Sequence, residues 1–236
     1  MIDLVTDFEK IININTQKTI EVLKNTFNNV NIEKNKPFIK SVTKYYTAIA
    51  IWNNNLSNIW GADRKKLMDN ILLDYCSLLN CIVLGDEKLI NFLYRNIIES
   101  ILRVITNELK NKEIDSLFKI EKIGYKNIEE KKMIESYSSL IKSIYINSCK
   151  YVHVDINKIP KKITNLLQYN TNSDTINNSK MLKDFEDLNI AILSILRIKY
   201  SNIYYNFKPN SKSFIEEIIP LKERIKIRDI KQTQYK

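Results

Sequence analysis

The stretch Leu89-Ile-Asn-Phe-Leu93-Tyr94-Arg95-Asn-Ile97-Ile98-Glu99-Ser-Ile101-Leu102-Arg103-Val-Ile105 decides the fold. Leu89, Leu93, Tyr94, Ile97, Ile98, Ile101, Leu102 and Ile105 recur every three or four positions. That spacing lays them on one broad face of an α-helix, whereas a half-buried strand would alternate with a period of two. The pattern predicts a helix over about 86–110, central in a helical core. Arg95, Glu99 and Arg103 stand four residues apart, so on that helix they align along one edge of the apolar stripe.

The same periodicity extends outward in both directions. A first helix is predicted over about 3–30 through Ile12, Ile20, Val22, Leu23 and Phe27, broken or uneven near the Asn-rich stretch 11–15. Pro37 opens a second over 37–58, rich in aromatics, and Gly61-Ala62-Asp63 breaks the chain before a third over 64–84. Gly85-Asp86 repeats that punctuation. Beyond the central helix, residues 111–128 read as a loop or short crossing helix. A fifth helix over 129–150 then buries Ile134, Tyr137, Leu140, Ile141, Ile144, Tyr145 and Cys149.

The polar run from Tyr169 to Ser179 supplies no core residues and reads as a disordered loop. A long helix over 179–206 follows, then a short one over 211–226 interrupted by Pro220, and a basic tail. Glycine occurs three times and proline four times in 236 residues, too rarely for a many-stranded sheet. The expected fold is therefore all-α: one domain over 1–236, a bundle of about six to seven helices, with a C-terminal basic helix and tail at 208–236.

Composition bounds the function. The formal charge is +10, with 31 Lys against 6 Arg. Such a surface attracts anionic polymers, because lysines that meet phosphates release condensed counterions. The lysines are mostly scattered, which is also how a plain solvated surface looks. From Lys208 to Lys236 there are eight basic and four acidic residues. The lysines expected to meet nucleic acid are Lys150, Lys222, Lys226 and Lys231. Cys76, Cys81 and Cys149 show no CxxC spacing and read as buried free thiols of a reducing cytosol. Acids stand at the N-terminus where a signal peptide needs bases, and no run approaches the ~18 apolar residues of a membrane span. The expectation is a soluble, cytoplasmic protein with no membrane partner, and no metal or cofactor is called for.

Two features carry chemistry. The Arg95–Glu99–Arg103 ladder is either a set of surface ion pairs or the wall of a cleft. His153, the single histidine, stands just past the end of the fifth helix and is the one side chain whose ordinary pKa lies near neutrality. It serves either as a hydrogen-bonded structural residue or as a general acid or base toward a ribose hydroxyl or a leaving 5′-oxygen. Glu99 is its expected partner.

Arg95-Asn96-Ile-Ile-Glu99-Ser-Ile-Leu-Arg103, followed some fifty residues later by Tyr145-Ile-Asn-Ser148-Cys149-Lys-Tyr151-Val152-His153, resembles the HEPN-like helical families of prokaryotic toxin and phage-defence systems. Ser148 and Cys149 stand where Leu and Ser are usual, and the resemblance covers about 60–160. It implies a bundle of four or five core helices that pairs across a two-fold axis, hence a homodimer, with RNA as the substrate class and an antitoxin or other protein as partner. Active members cut RNA without metal through an Arg-x4-6-His motif. Here Ser148, Asn147 and Ile146 occupy the positions open to that arginine. The resemblance therefore leaves two readings. In one, Arg95 or Arg103 supplies the guanidinium from the neighbouring helix to a catalytic site of His153, Arg95, Glu99 and Arg103. In the other, the chain is a non-catalytic helical module that binds nucleic acid or a partner protein.

Overall fold

The computed structural model describes residues 2–27, 31–110, 113–152 and 178–232. Of these, 86% are helical and none lies in a strand. The order is α1 (Ile2–Thr26), a 3₁₀ turn (Ile32–Asn35), α2 (Lys36–Leu56), α3 (Ala62–Leu84), α4 (Glu87–Thr106), α5 (Ile114–Leu117) and α6 (Ile120–Ile123). It continues with α7 (Ile128–Val152), α8 (Asn178–Lys199), α9 (Ser201–Tyr204), α10 (Pro209–Ile218) and α11 (Leu221–Gln232). The all-α expectation is met, with six long helices and several short ones among the described residues.

Local chemistry sets the boundaries. Gly85, at φ 69°, closes α3 in the left-handed conformation, its N–H donating to the carbonyls of Cys81 and Ile82. Asp86 then caps α4 by accepting from the Leu89 N–H at 3.0 Å. The two-residue link Gly85-Asp86 folds α3 and α4 back as antiparallel neighbours. Pro37 and Pro209 sit in the first turns of α2 and α10, where no intrahelical N–H is lost. Pro220 holds Ile219 extended and separates α10 from α11.

The stripe on α4 is the centre of the core, as its spacing predicts. Tyr94, Ile97, Ile98, Ile101, Leu102, Val104 and Ile105 are at most 2% exposed, and α4 packs chiefly on α3 and α7. Helix α8 closes the core from the other side. Its Phe185 is surrounded by the rings of Phe38, Tyr45, Tyr75 and Tyr94, with centroids 5.6–5.8 Å away. Each such pair adds roughly 0.5–1.5 kcal/mol to the area buried. Two hydroxyls of this cluster are satisfied across the core: Tyr75 donates to the Asn189 side chain, and Tyr94 to the Met181 carbonyl at 2.9 Å.

Several expectations are corrected. Helix α1 runs unbroken through residues 11–15, because Ile12, Thr16 and Ile20 keep a buried face while the asparagines point outward or lie at its edge. Val22, Leu89 and Leu140 are 64%, 46% and 38% exposed, each standing at the margin of its helix's buried face. The central helix ends at Thr106, since Asn107 turns left-handed at φ 62°. Of the three thiols only Cys81 is buried; Cys149 is half-buried, and Cys76 is exposed because it lies one residue, about 100°, beyond buried Tyr75. Helix α3 is, by length and composition, apolar enough to cross a membrane, with mean hydropathy 1.5 over its best window. In the fold Met68, Ile71, Tyr75, Leu78 and Ile82 of that helix pack in the protein core. The polar run 169–177 lies outside the described residues.

Candidate functional site

The ladder on α4 forms as the i,i+4 spacing predicts, and Glu99 is its hub. One carboxylate oxygen, Oε1, accepts from Arg95 Nε at 2.8 Å; the other, Oε2, lies 3.6 Å from Arg103 Nη1. Helix α7 contributes a third partner, because the Tyr145 hydroxyl also donates to Oε1 at 3.0 Å. The Arg95 guanidinium also lies over the Tyr145 ring, so residue 145 of α7 sits beside the 95–99 turn of α4. The side chains of Glu99, Arg103 and Arg95 are 17%, 21% and 27% exposed. The ladder is thus the wall of an edge between two core helices.

The electrostatics follow from this geometry. Hydrogen bonding to Glu99 raises the pKa of Arg95, with burial opposing and the charges of Glu99 and its neighbours adding to the rise. Burial first, and then the hydrogen bond to the Glu99 carboxylate, push the Tyr145 phenol well above its ordinary range. Tyr145 therefore stays a neutral donor near neutrality. Its ring supports the Arg95 guanidinium at 5.8 Å and leans on Phe118 with centroids 5.6 Å apart. Two guanidiniums around one carboxylate leave the constellation one charge positive.

Beside it, past Phe118, a cavity of about 410 Å³ opens between α5, α6 and α7, with Lys119, Ser138, Lys142, Glu113 and Glu135 on its walls. Lys142 lies 3.4 Å from Asp115 and 5.7 Å above the Phe118 ring.

The remaining site residues are spread out. His153 lies outside the described residues, and with it the expected pairing to Glu99. Ser148, at one of the positions open to the arginine of the RNase motif, is 1% exposed with no hydrogen-bond partner on its hydroxyl. Lys150, Lys222 and Lys226 are exposed, and Lys231 belongs to α11. Lys226 pairs with Glu223 at 2.8 Å, and the same carboxylate accepts from Tyr137, so this lysine helps dock α11 on α7. Among the described residues no group of three or more His, Cys, Asp or Glu side chains is placed to hold a metal ion.

Sequence reading missed Tyr145 as a site residue and placed it only in the core. A helical tyrosine four residues before Cys149 gives no sign of its hydroxyl partner. Only the pairing of α7 with α4 supplies one. No protein-family model, curated protein or solved structure matches the chain.

Proposed function

We propose that this chain is a HEPN-like helical module of a prokaryotic antiviral-defence or toxin–antitoxin system, and that it binds RNA along the α4 edge that carries Arg95, Glu99, Arg103 and Tyr145. The observation that carries the reading is the sharing of Glu99 by two guanidiniums and a phenol at a partly exposed edge. A guanidinium has five N–H donors in a rigid fork, and the 3.6 Å between Arg103 Nη1 and Glu99 Oε2 is an ion pair longer than a hydrogen bond. The rest of that fork suits the two oxygens of a phosphodiester. Glu99 acts as the clamp that fixes its direction.

The reading favours binding over cutting, because Tyr145 is held neutral and both guanidiniums are engaged by the same carboxylate. The family likeness adds a two-fold pairing and a protein partner such as an antitoxin. The test is fluorescence anisotropy with a labelled single-stranded RNA across a salt series. Arg103→Gln is expected to weaken binding about 10-fold, as the loss of a charge-assisted contact does, and to lower the salt slope by about one. Neutralising Lys222, Lys226 and Lys231 together should leave most of the affinity. The reverse pattern would place binding on α11 instead. RNA cleavage that persists in a chelator and disappears in His153→Ala would replace this reading with the metal-independent nuclease.

A further inference from the structure

We infer that the cavity beside Phe118 is a nucleobase pocket, so that the RNA taken at the α4 edge is single-stranded and seats one unstacked base with adjacent N–H donors on its pairing edge, guanine in preference to uracil. This rests on the reading of Arg103 as an RNA contact. The cavity, about 410 Å³, falls within the ~300–1,000 Å³ of small-ligand pockets. Phe118 and Lys119, between α5 and α6, line it together with Glu135, Ser139 and Lys142 of α7. Those three α7 residues recur every three or four positions and so share one face of the helix.

The pocket is continuous with the ladder. The Phe118 ring leans on Tyr145 with centroids 5.6 Å apart, and the Tyr145 hydroxyl donates to Glu99, the carboxylate that Arg103 also meets. On α7, Ser139 and Glu135 stand six and ten residues before Tyr145, about 9 and 15 Å along the helix axis. A stacked strand, at ~3.4 Å per nucleotide, crosses that span in roughly three to four nucleotides. A strand held at Arg103 therefore reaches the pocket with a base a few positions along.

The lining selects a base over a phosphate or a cation. Glu113, Asp115 and Glu135 outnumber Lys119 and Lys142 there, which repels a phosphate. A cationic ligand finds the position over the Phe118 ring taken by the Lys142 ammonium, at 5.7 Å, and the ladder alongside carries net positive charge. Lys142 is also 3.4 Å from Asp115, and the Ser138 hydroxyl donates to the Phe118 carbonyl at 3.0 Å, so these groups are engaged. Left to a ligand are the apolar Phe118, the Ser139 hydroxyl and the exposed Glu135, which among the described residues makes no ion pair. An ionised carboxylate only accepts, and guanine offers it two adjacent N–H groups on its pairing edge. Uracil offers one N–H between two carbonyl oxygens, which a carboxylate repels. In a duplex that edge is already paired and out of reach.

The experiment is fluorescence anisotropy of the full chain at one salt concentration with three labelled RNAs: an all-uridine strand, the same strand with one central guanosine, and a G·C-rich duplex of the same length. The guanosine strand is expected to bind ~10-fold tighter than the all-uridine strand, the discrimination that a bidentate base contact supplies. The duplex should bind more weakly than the guanosine strand. Glu135→Ala should abolish the preference while the all-uridine strand stays at least as tightly bound, and Ser139→Ala should reduce it. Both positions are exposed on a helix and alanine favours helix, so both variants keep the fold. Glu21→Ala, the same charge change on an exposed position of α1, should leave the preference intact. Equal affinity for the two single strands, a preference that survives Glu135→Ala, or duplex binding as tight as the guanosine strand overturns the inference. Arg103→Gln separates it from the reading beneath, because the loss of a phosphate contact weakens every RNA alike. If Arg103→Gln does so while the guanosine preference is absent, RNA binding stands and the pocket falls; if no RNA binds, both fall.

Discussion

Replacing Glu99 tests whether one carboxylate holds α4 to α7. Three interactions converge on it: Arg95 at 2.8 Å, Tyr145 at 3.0 Å and Arg103 at 3.6 Å. Fully buried charge-assisted hydrogen bonds contribute roughly 1.5–3 kcal/mol each, but both guanidiniums here see solvent, which reduces i,i+4 pairs toward ~0.3–0.5 kcal/mol. The Tyr145 bond joins two helices in a less exposed setting and is worth about 1 kcal/mol. Glu99→Ala should therefore cost about 2 kcal/mol. Glu99→Gln keeps the shape and an acceptor oxygen, loses the charge, and should cost about half as much.

In a domain of this size such losses correspond to drops in Tm of roughly 4–8 °C and 2–4 °C. Urea unfolding should show a lower midpoint with an unchanged slope, because the surface exposed on unfolding is the same. Pairing Glu99→Gln with Tyr145→Phe in a double-mutant cycle should return a coupling of about 0.5–1 kcal/mol. Raised salt should narrow the gap between parent and variant. If both Glu99 variants unfold within ~0.3 kcal/mol of the parent, the ladder is a solvated decoration and the fixed-guanidinium argument for RNA binding falls with it.

Asp74 offers a pH-dependent test, because burial raises its carboxyl from 3.8 to about 6. Its neutral form is favoured in the folded chain, so the stability it contributes is complete below pH ~4 and is lost as pH rises through about 6. Asp74→Asn should stabilise the protein by about 1 kcal/mol at pH 7, after allowance for partial solvent screening, and by nothing measurable at pH 4. Equal effects at the two pH values would contradict the burial argument. Phe185→Ala, at the centre of four aromatic rings, should cost about 3–5 kcal/mol in denaturant unfolding, and a cost below ~1 kcal/mol would mean that α8 is not docked through that cluster.

The amino-acid sequence by itself determined the helices and much of their punctuation. Apolar spacing along Leu93, Ile97, Ile101 and Ile105 is a local property of the chain, and it survives folding because the buried face of α4 is the face that spacing defines. Gly85-Asp86, Pro37 and Pro209 acted through backbone rules that operate within a few residues. The Arg95–Glu99–Arg103 alignment was legible for the same reason. The tertiary structure decided which groups meet across long stretches of chain. It set the Tyr145 hydroxyl on Glu99, 46 residues away, and Phe185 among rings from α2, α3 and α4. It also brought Tyr200 against Trp60, and Lys199 to the Ile123 carbonyl. Periodicity states which side of a helix is buried but not what it is buried against, and partner identity depends on how the helices are ordered and docked in space.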